Sequence, residues 1–161
     1  MKRPLILGID PGVSGAYAAL NPTTNELQWV LDLPTFKQKG KDRLDASELN
    51  SRVSIYSNDI AFAVVEDVHA MPGQGVVSMF TFGEAKGMAI GVVAANNIPI
   101  YFINPSVWKL AMGLSARKED SIKRYDKLFP DDALIGNAKS KSNRAEAALI
   151  AYFGKRFYQK T

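Results

Sequence analysis

Three carboxylates and one amide stand where they can act together. Asp10 closes the apolar run Leu5–Ile9, and Glu66 closes the apolar run Ile60–Val65. An acid that follows a buried strand lies at the edge of a core. If the two strands are parallel neighbours, both acids emerge at the carboxyl edge, where open α/β sheets place their ligands. Two like charges drawn out of water are costly unless a cation sits between them. Oxygen-only donors suit magnesium or manganese. Asn143 and Glu146 lie three residues apart and share a helix face, which continues into Leu149, Ile150 and Phe153. Packed on the sheet, that helix N-terminus turns Glu146 toward Asp10 and Glu66. Acids gathered in this way are the parts of a two-metal phosphodiester site, where cations about 4 Å apart activate water and stabilise the leaving oxygen. Taken singly, each acid reads as an ordinary cap or solvated strand end. The set, with Gly8, Pro11 and Gly12 around Asp10, favours the site.

The elements that must hold these groups follow from pattern. Leu5–Asp10 reads as a buried strand running into a turn, Ala16–Leu20 as a second strand and Leu27–Leu31 as a third, at hairpin spacing. Pro34–Arg43 reads as a polar, basic loop. Asp45 and Glu48 resemble a capping box for a helix over Ala46–Ser57. Ile60–Val65 is a fully apolar strand after that helix, which implies a crossover and a parallel partner. Val76–Asn96 reads as a buried or interface helix. Pro99–Ile103 is a short strand, and Pro105 opens a helix to about Met112. A short basic helix covers Ser121–Phe129, a basic loop Gly136–Ser142, and a last helix Ala145–Tyr158, interrupted or ended near Gly154. The expected fold is α/β: a mixed sheet of five strands, the first three antiparallel, with helices against it.

The chain has 161 residues, which suits a single domain spanning 1–161. It has no cysteine and one histidine, His69, which excludes disulfide scaffolds, thiol nucleophiles, Cys-ligated centres and multi-histidine zinc sites. No apolar run approaches the roughly 18 residues of a membrane span. Asp10 cuts the N-terminal apolar segment short of a signal sequence, so a soluble intracellular protein is expected. The net charge of +4 is unevenly spread: residues 1–103 carry 8 basic and 10 acidic side chains, residues 104–161 carry 12 and 6. A separate basic knot lies at Lys37, Lys39, Lys41 and Arg43. Such stretches can displace counterions from a phosphate backbone, though surface lysines are common without one.

Four segments in consistent order carry a resemblance. They are Gly8-Ile9-Asp10-Pro11-Gly12 with Gly15, Val64-Val65-Glu66, Phe82-Gly83-Glu84-Ala85-Lys86-Gly87, and Ala145-Glu146-Ala147-Ala148-Leu149-Ile150-Ala151. Together they resemble the RuvC family of Holliday junction resolvases, most of all its shorter phage members. The resemblance implies an RNase H-like, retroviral-integrase-type fold with helices on both faces of the sheet. It implies a homodimer and Mg²⁺-dependent nicking of four-way and other branched DNA, with Mn²⁺ as a substitute. Phage origin would place the chain in the cytoplasm of a bacterial host. No membrane or small-molecule substrate is implied.

Asp10, Glu66 and Glu146 match three of the family's catalytic metal ligands, Glu146 standing where Asp is common. Asn143 matches the fourth, where the family has Asp or His. An amide oxygen is a neutral, weaker ligand and cannot act as a base. An engineered replacement of an aspartate and a natural variant both explain Asn143, and the enzyme is either active or disabled accordingly. Lys109 and Lys118 match basic positions after the fifth strand and are carried over as DNA-phosphate contacts. Lys118 could also stabilise charge on the scissile phosphate. The loop after Glu66 is where the family enters the junction. Here Met71 is a wedge candidate, His69 a stacking candidate, and Gln74 lies in the same loop before a helix N-terminus suited to phosphate. Lys37, Lys39, Lys41, Lys139, Lys141 and Arg144 complete the expected DNA surface. Two other readings stand beside this one. A non-cleaving branched-DNA-binding protein on the same fold is favoured by Asn143. An actin-like or sugar-kinase ATPase shares the first glycine-acid strand but needs a second domain and a second phosphate loop.

Overall fold

The computed structural model describes residues 4–158. The elements in chain order are β1 (Leu5–Asp10), β2 (Ala16–Leu20), β3 (Leu27–Asp32), β4 (Thr35–Gln38), β5 (Lys41–Leu44), α1 (Ala46–Tyr56), β6 (Ile60–Glu66), α2 (Val76–Ala95), β7 (Ile100–Ile103), α3 (Pro105–Ala111), α4 (Lys118–Leu128) and α5 (Ala138–Tyr158). Five strands form one sheet in the order β3-β2-β1-β6-β7. The first three are an antiparallel meander, whereas β6 runs parallel to β1 and β7 parallel to β6. The apolar run of β1 is explained by its place at the centre, where both faces are covered. Its register pairs Ile9 with Val65, so Asp10 and Glu66 leave the sheet side by side.

Each face of the sheet has its own core. On one, Ile6, Ala18, Leu20 and Val64 pack with Trp108, Tyr125 and the buried stripe Ala147–Ala151 of α5. On the other, Leu7, Ile9, Tyr17 and Val65 pack with Leu49 and Val53 of α1 and with Ala85, Ala89, Val92 and Val93 of α2. The first contact is unusually close. A Cβ at Gly8 would collide with the Ala147 carbonyl oxygen and the Ala151 nitrogen. Glycine therefore sets how near α5 lies to β1, and so how near Glu146 lies to Asp10.

Three expectations need correction. The expected basic loop after β3 is the two-stranded antiparallel sheet β4–β5. Its turn residues, Lys39 and Gly40, have φ of 49° and 76°, the positive pair of a type I′ hairpin. All four β4 residues are exposed, so no apolar alternation marks the strand. The expected basic loop at 136–142 is mostly the start of α5, which begins at Ala138 and runs through Gly154 without a break. The Asn137 side chain accepts the Ser140 N–H at 3.0 Å and caps this polar first turn. Finally, α2 is long and apolar enough to cross a membrane, contrary to the expectation that no segment approaches that length. Here it lies along the sheet and carries Glu84 and Lys86, paired with Arg43 and Asp67. The half-formed capping box is a smaller difference: Asp45 accepts the Glu48 N–H at 2.9 Å, but the Glu48 side chain pairs with Arg52.

Candidate metal centre and nucleic-acid groove

β1, β6 and α5 bring Asp10, Glu66 and Glu146 together, each offering an oxygen within 4.8 Å of the others. Glu66 is buried; Asp10 and Glu146 are half-buried. Burial pushes the Asp10 carboxyl well above its ordinary range, and the charges of Glu146 and Glu66 push it further. Burial also raises Glu66, opposed by a hydrogen bond from Trp108. The charges of Lys109 and Lys118 act on Asp10 in the opposite sense and partly offset the cluster.

The surrounding donors fix the acids. The Trp108 indole N–H donates to Glu66 Oε1 at 2.8 Å. Ser121 Oγ and Lys109 Nζ both reach Glu146 Oε1, at 3.2 Å each. Neither Trp108 nor Ser121 stands out in the sequence, although Trp108 directly precedes Lys109, a residue expected to contact DNA phosphate. The Asn143 amide N–H donates to the Ser14 carbonyl in the β1–β2 turn. A carboxylate cannot make that bond. Gly12 in this turn has φ of 126° and lies against the Phe82 ring of α2. Asn143 stands one turn of helix before Glu146, and because α5 begins at Ala138 both residues lie beyond its first turn.

The expected DNA contacts divide. A groove beside Asp10 is lined by Lys41, Lys139, Ser78, Thr81, Phe82 and Asn143. Lys41 reaches it from the β4–β5 hairpin and Lys139 from α5, so two expected cations line the groove that opens beside Asp10. Lys118 is exposed at the start of α4. Lys39 forms the hairpin turn, Lys37 pairs with Asp42 at 2.8 Å on the exposed hairpin, and Lys141 is half-buried on α5. Met71 is 67% exposed at the loop tip, and Gln74 Oε1 accepts the Met71 N–H at 2.8 Å, closing the loop. The His69 Nε2 lies 3.2 Å from Asp67. Arg144 departs most from its expected role. Its guanidinium grips Asp32 of β3 through two bonds of 2.8 and 2.9 Å and donates to the Ile135 carbonyl. It clamps α5 to the sheet edge, with no nitrogen aimed at the groove by those bonds.

No family model matches the chain. It is 30% identical over 119 residues to the crossover junction endodeoxyribonuclease RuvC of Nitratidesulfovibrio vulgaris (Hildenborough), covering 71% of this chain and 69% of that protein. The chain belongs to the RuvC family. A second RuvC, from Anaeromyxobacter dehalogenans, is 28% identical over 158 residues, 91% of this chain and 78% of its own length. Among solved structures, Thermus thermophilus RuvC in complex with Holliday junction substrate superposes with a TM-score of 0.64 at 17% identity, covering 97% of this chain and 94% of that one. A further T. thermophilus RuvC structure gives 0.52 at 18% identity, covering 96% of each chain. At these identities the structures establish the RNase H-like fold, which the sheet order described above already displays. Membership in RuvC makes the acid cluster at the carboxyl edge the centre of interest, and it makes Asn143 the departure to be explained.

Proposed function

We propose that this chain is a metal-dependent endonuclease that resolves four-way DNA junctions by paired nicks, acting as a homodimer. The acid cluster carries the reading: three carboxylates from three separate elements converge within 4.8 Å at one sheet edge. The donors fit a hard divalent cation, being oxygen alone, with like charges that repel one another without one. Asp10, Glu66 and Glu146 would hold Mg²⁺ or Mn²⁺, with the Asn143 amide oxygen as the weakest contributor. When bound, the metal supplies an activated water and charge stabilisation for phosphodiester hydrolysis. The protein supplies the rest. Lys41 and Lys139 attract the backbone into the groove, and Lys109 and Lys118 oppose the negative charge of the acids and the scissile phosphate. Met71 and His69 reach out from the loop after β6 toward the junction.

The second protomer has a surface to occupy. Along α2, Val76, Phe80, Gly83, Gly87, Gly91 and Ala95 are exposed on one stripe. Glycine within a helix costs about 0.8–1.0 kcal/mol relative to alanine, so three at four-residue spacing need a compensating gain. Close approach of a second α2 provides one. Two sites related by a two-fold would match the symmetric strands of a four-way junction.

A labelled mobile four-way junction tests the reading, with the native chain beside Asn143→Asp in Mg²⁺ and in Mn²⁺. Symmetric paired nicks by either protein support it; the aspartate form is expected to cut faster and at lower metal. If both bind the junction in a gel shift and neither cuts, the fold serves binding alone. One observation favours that second reading: the Asn143 amide is built into the β1–β2 turn by a bond that an aspartate would break.

A further inference from the structure

We propose that Trp108 is a positioning residue for the metal centre, acting through Glu66. The inference rests on the metal-dependent reading above. Trp108 is fully buried, and its indole N–H donates to Glu66 Oε1 at 2.8 Å. The placement is built from the sequence. β7 runs parallel to β6 with Ile103 opposite Glu66. Asn104 then caps α3, its side chain accepting the Ser106 N–H at 2.9 Å, and Pro105 starts the first turn. One turn later Trp108 points back behind Glu66, wedged in the core with Ile103, Met112 and Tyr125.

This arrangement does more than fill space. A buried ring could be Phe, with no polar atom to satisfy. The indole instead ties one carboxylate oxygen, which blocks rotation of the carboxylate plane and fixes the direction of the other oxygen. A hydrogen bond to an ionised acceptor is stronger than a neutral one. Partners of this kind, one shell behind a metal ligand, commonly change metal affinity by 10–100-fold when removed. Trp108 touches neither substrate nor reacting atoms; it acts by holding Glu66.

The bond also makes Trp108 a reporter. The chain has two tryptophans, and Trp29 packs on Tyr56, with its ring centroid 4.3 Å away, half-buried against the core of the other sheet face. Trp29→Phe therefore leaves Trp108 as the sole tryptophan, so that selective indole excitation reports on it alone, and leaves the acids untouched. In this variant, Mg²⁺ and Mn²⁺ binding is followed by calorimetry and by indole emission in parallel. The expected result is an emission change with the calorimetric midpoint, because the ion draws charge from the carboxylate that accepts the indole N–H. Trp108→Phe, in the native background, is expected to raise the calorimetric metal midpoint about 10-fold or more, with nicking largely recovered at saturating metal. Metal binding with silent Trp108 emission overturns the proposal and leaves the metal centre standing. A folded Trp108→Phe protein with an unchanged midpoint does the same. Absence of calorimetric binding by the Trp29→Phe protein overturns both together.

Discussion

The two faces of the sheet are covered in opposite ways. On the α5 face, the helix presses so closely that Gly8 of β1 and Gly154 of α5 have no room for a Cβ. Ala145 and the whole run Ala147–Ala151 are buried. On the α2 face, only Ala85, Ala89, Val92 and Val93 of a 20-residue apolar helix are buried, and a Cβ on Gly83, Gly87 or Gly91 would meet nothing within 4 Å. Glycines thus serve two purposes in one fold. On the first face they let a helix approach the sheet and so fix the spacing of the acids. On the second they leave a helix bare, with a shape suited to a second helix.

The strongest way to break this contrast is Gly8→Ala. The added methyl would meet helix backbone rather than a flexible side chain, so α5 must retreat. Overpacking typically costs about 1–3 kcal/mol, and this site belongs at or beyond the upper end. At about 2–4 °C per kcal/mol, a melting temperature lower by at least roughly 6 °C is expected. Because Glu146 rides on the displaced helix, the metal midpoint measured by calorimetry should rise as well. A variant that melts like the native chain would mean that the α5 contact is looser than the Gly8 approach requires.

Asp10→Asn sharpens the comparison on the same face, since it separates packing from charge. Burial and the neighbouring Glu146 and Glu66 raise the Asp10 carboxyl, so the folded chain retains a proton that the unfolded chain has released. Stability without metal therefore falls as pH rises from the ordinary carboxylate range through the raised value. The amide removes that penalty. Near neutral pH and free of divalent ions, Asp10→Asn should melt above the native chain by a few degrees, at about 2–4 °C per kcal/mol. The gap should close below roughly pH 4, where the native carboxyl is protonated in both states, and should narrow when Mg²⁺ stabilises the native chain alone. Nicking should fall to background. Equal melting at every pH would show that the cluster carries no stored repulsion.

Asp10 and Glu66, and the parallel pairing of their strands, were legible in the sequence because buried strands leave a plain mark: an apolar run stopped by a charge. The helices with one apolar stripe were legible for the same reason. The β4–β5 hairpin was not. It buries only Leu44, so hydrophobic alternation is missing, and its turn is Lys39-Gly40 rather than Asn-Gly or Asp-Gly. The first turns of α5 were hidden because Lys139, Ser140 and Lys141 carry loop-like composition, and the cap that starts them lies at Asn137. The site was legible as ligand types but not as a supported constellation. Trp108, Ser121 and the Asp32–Arg144 clamp act across 42, 25 and 112 residues of sequence, and no local pattern reports contacts at that range.

The smallest expected effect tests the other face. Gly87→Ala adds a methyl to an exposed position in the middle of α2, where, beyond the backbone of its own helix, it meets nothing within 4 Å among the described residues. Helix propensity alone should stabilise an isolated protomer by up to about 1 kcal/mol. If a second α2 crosses at the glycine stripe, the same methyl separates the two helix backbones and weakens association. Denaturant melts at low protein concentration and sedimentation equilibrium at higher concentration should then move in opposite directions: a firmer protomer and a weaker dimer. A plain solvent-facing helix predicts only the first change. A dimer of undiminished affinity would place the partner elsewhere on the chain and leave the three glycines of α2 without a purpose in assembly.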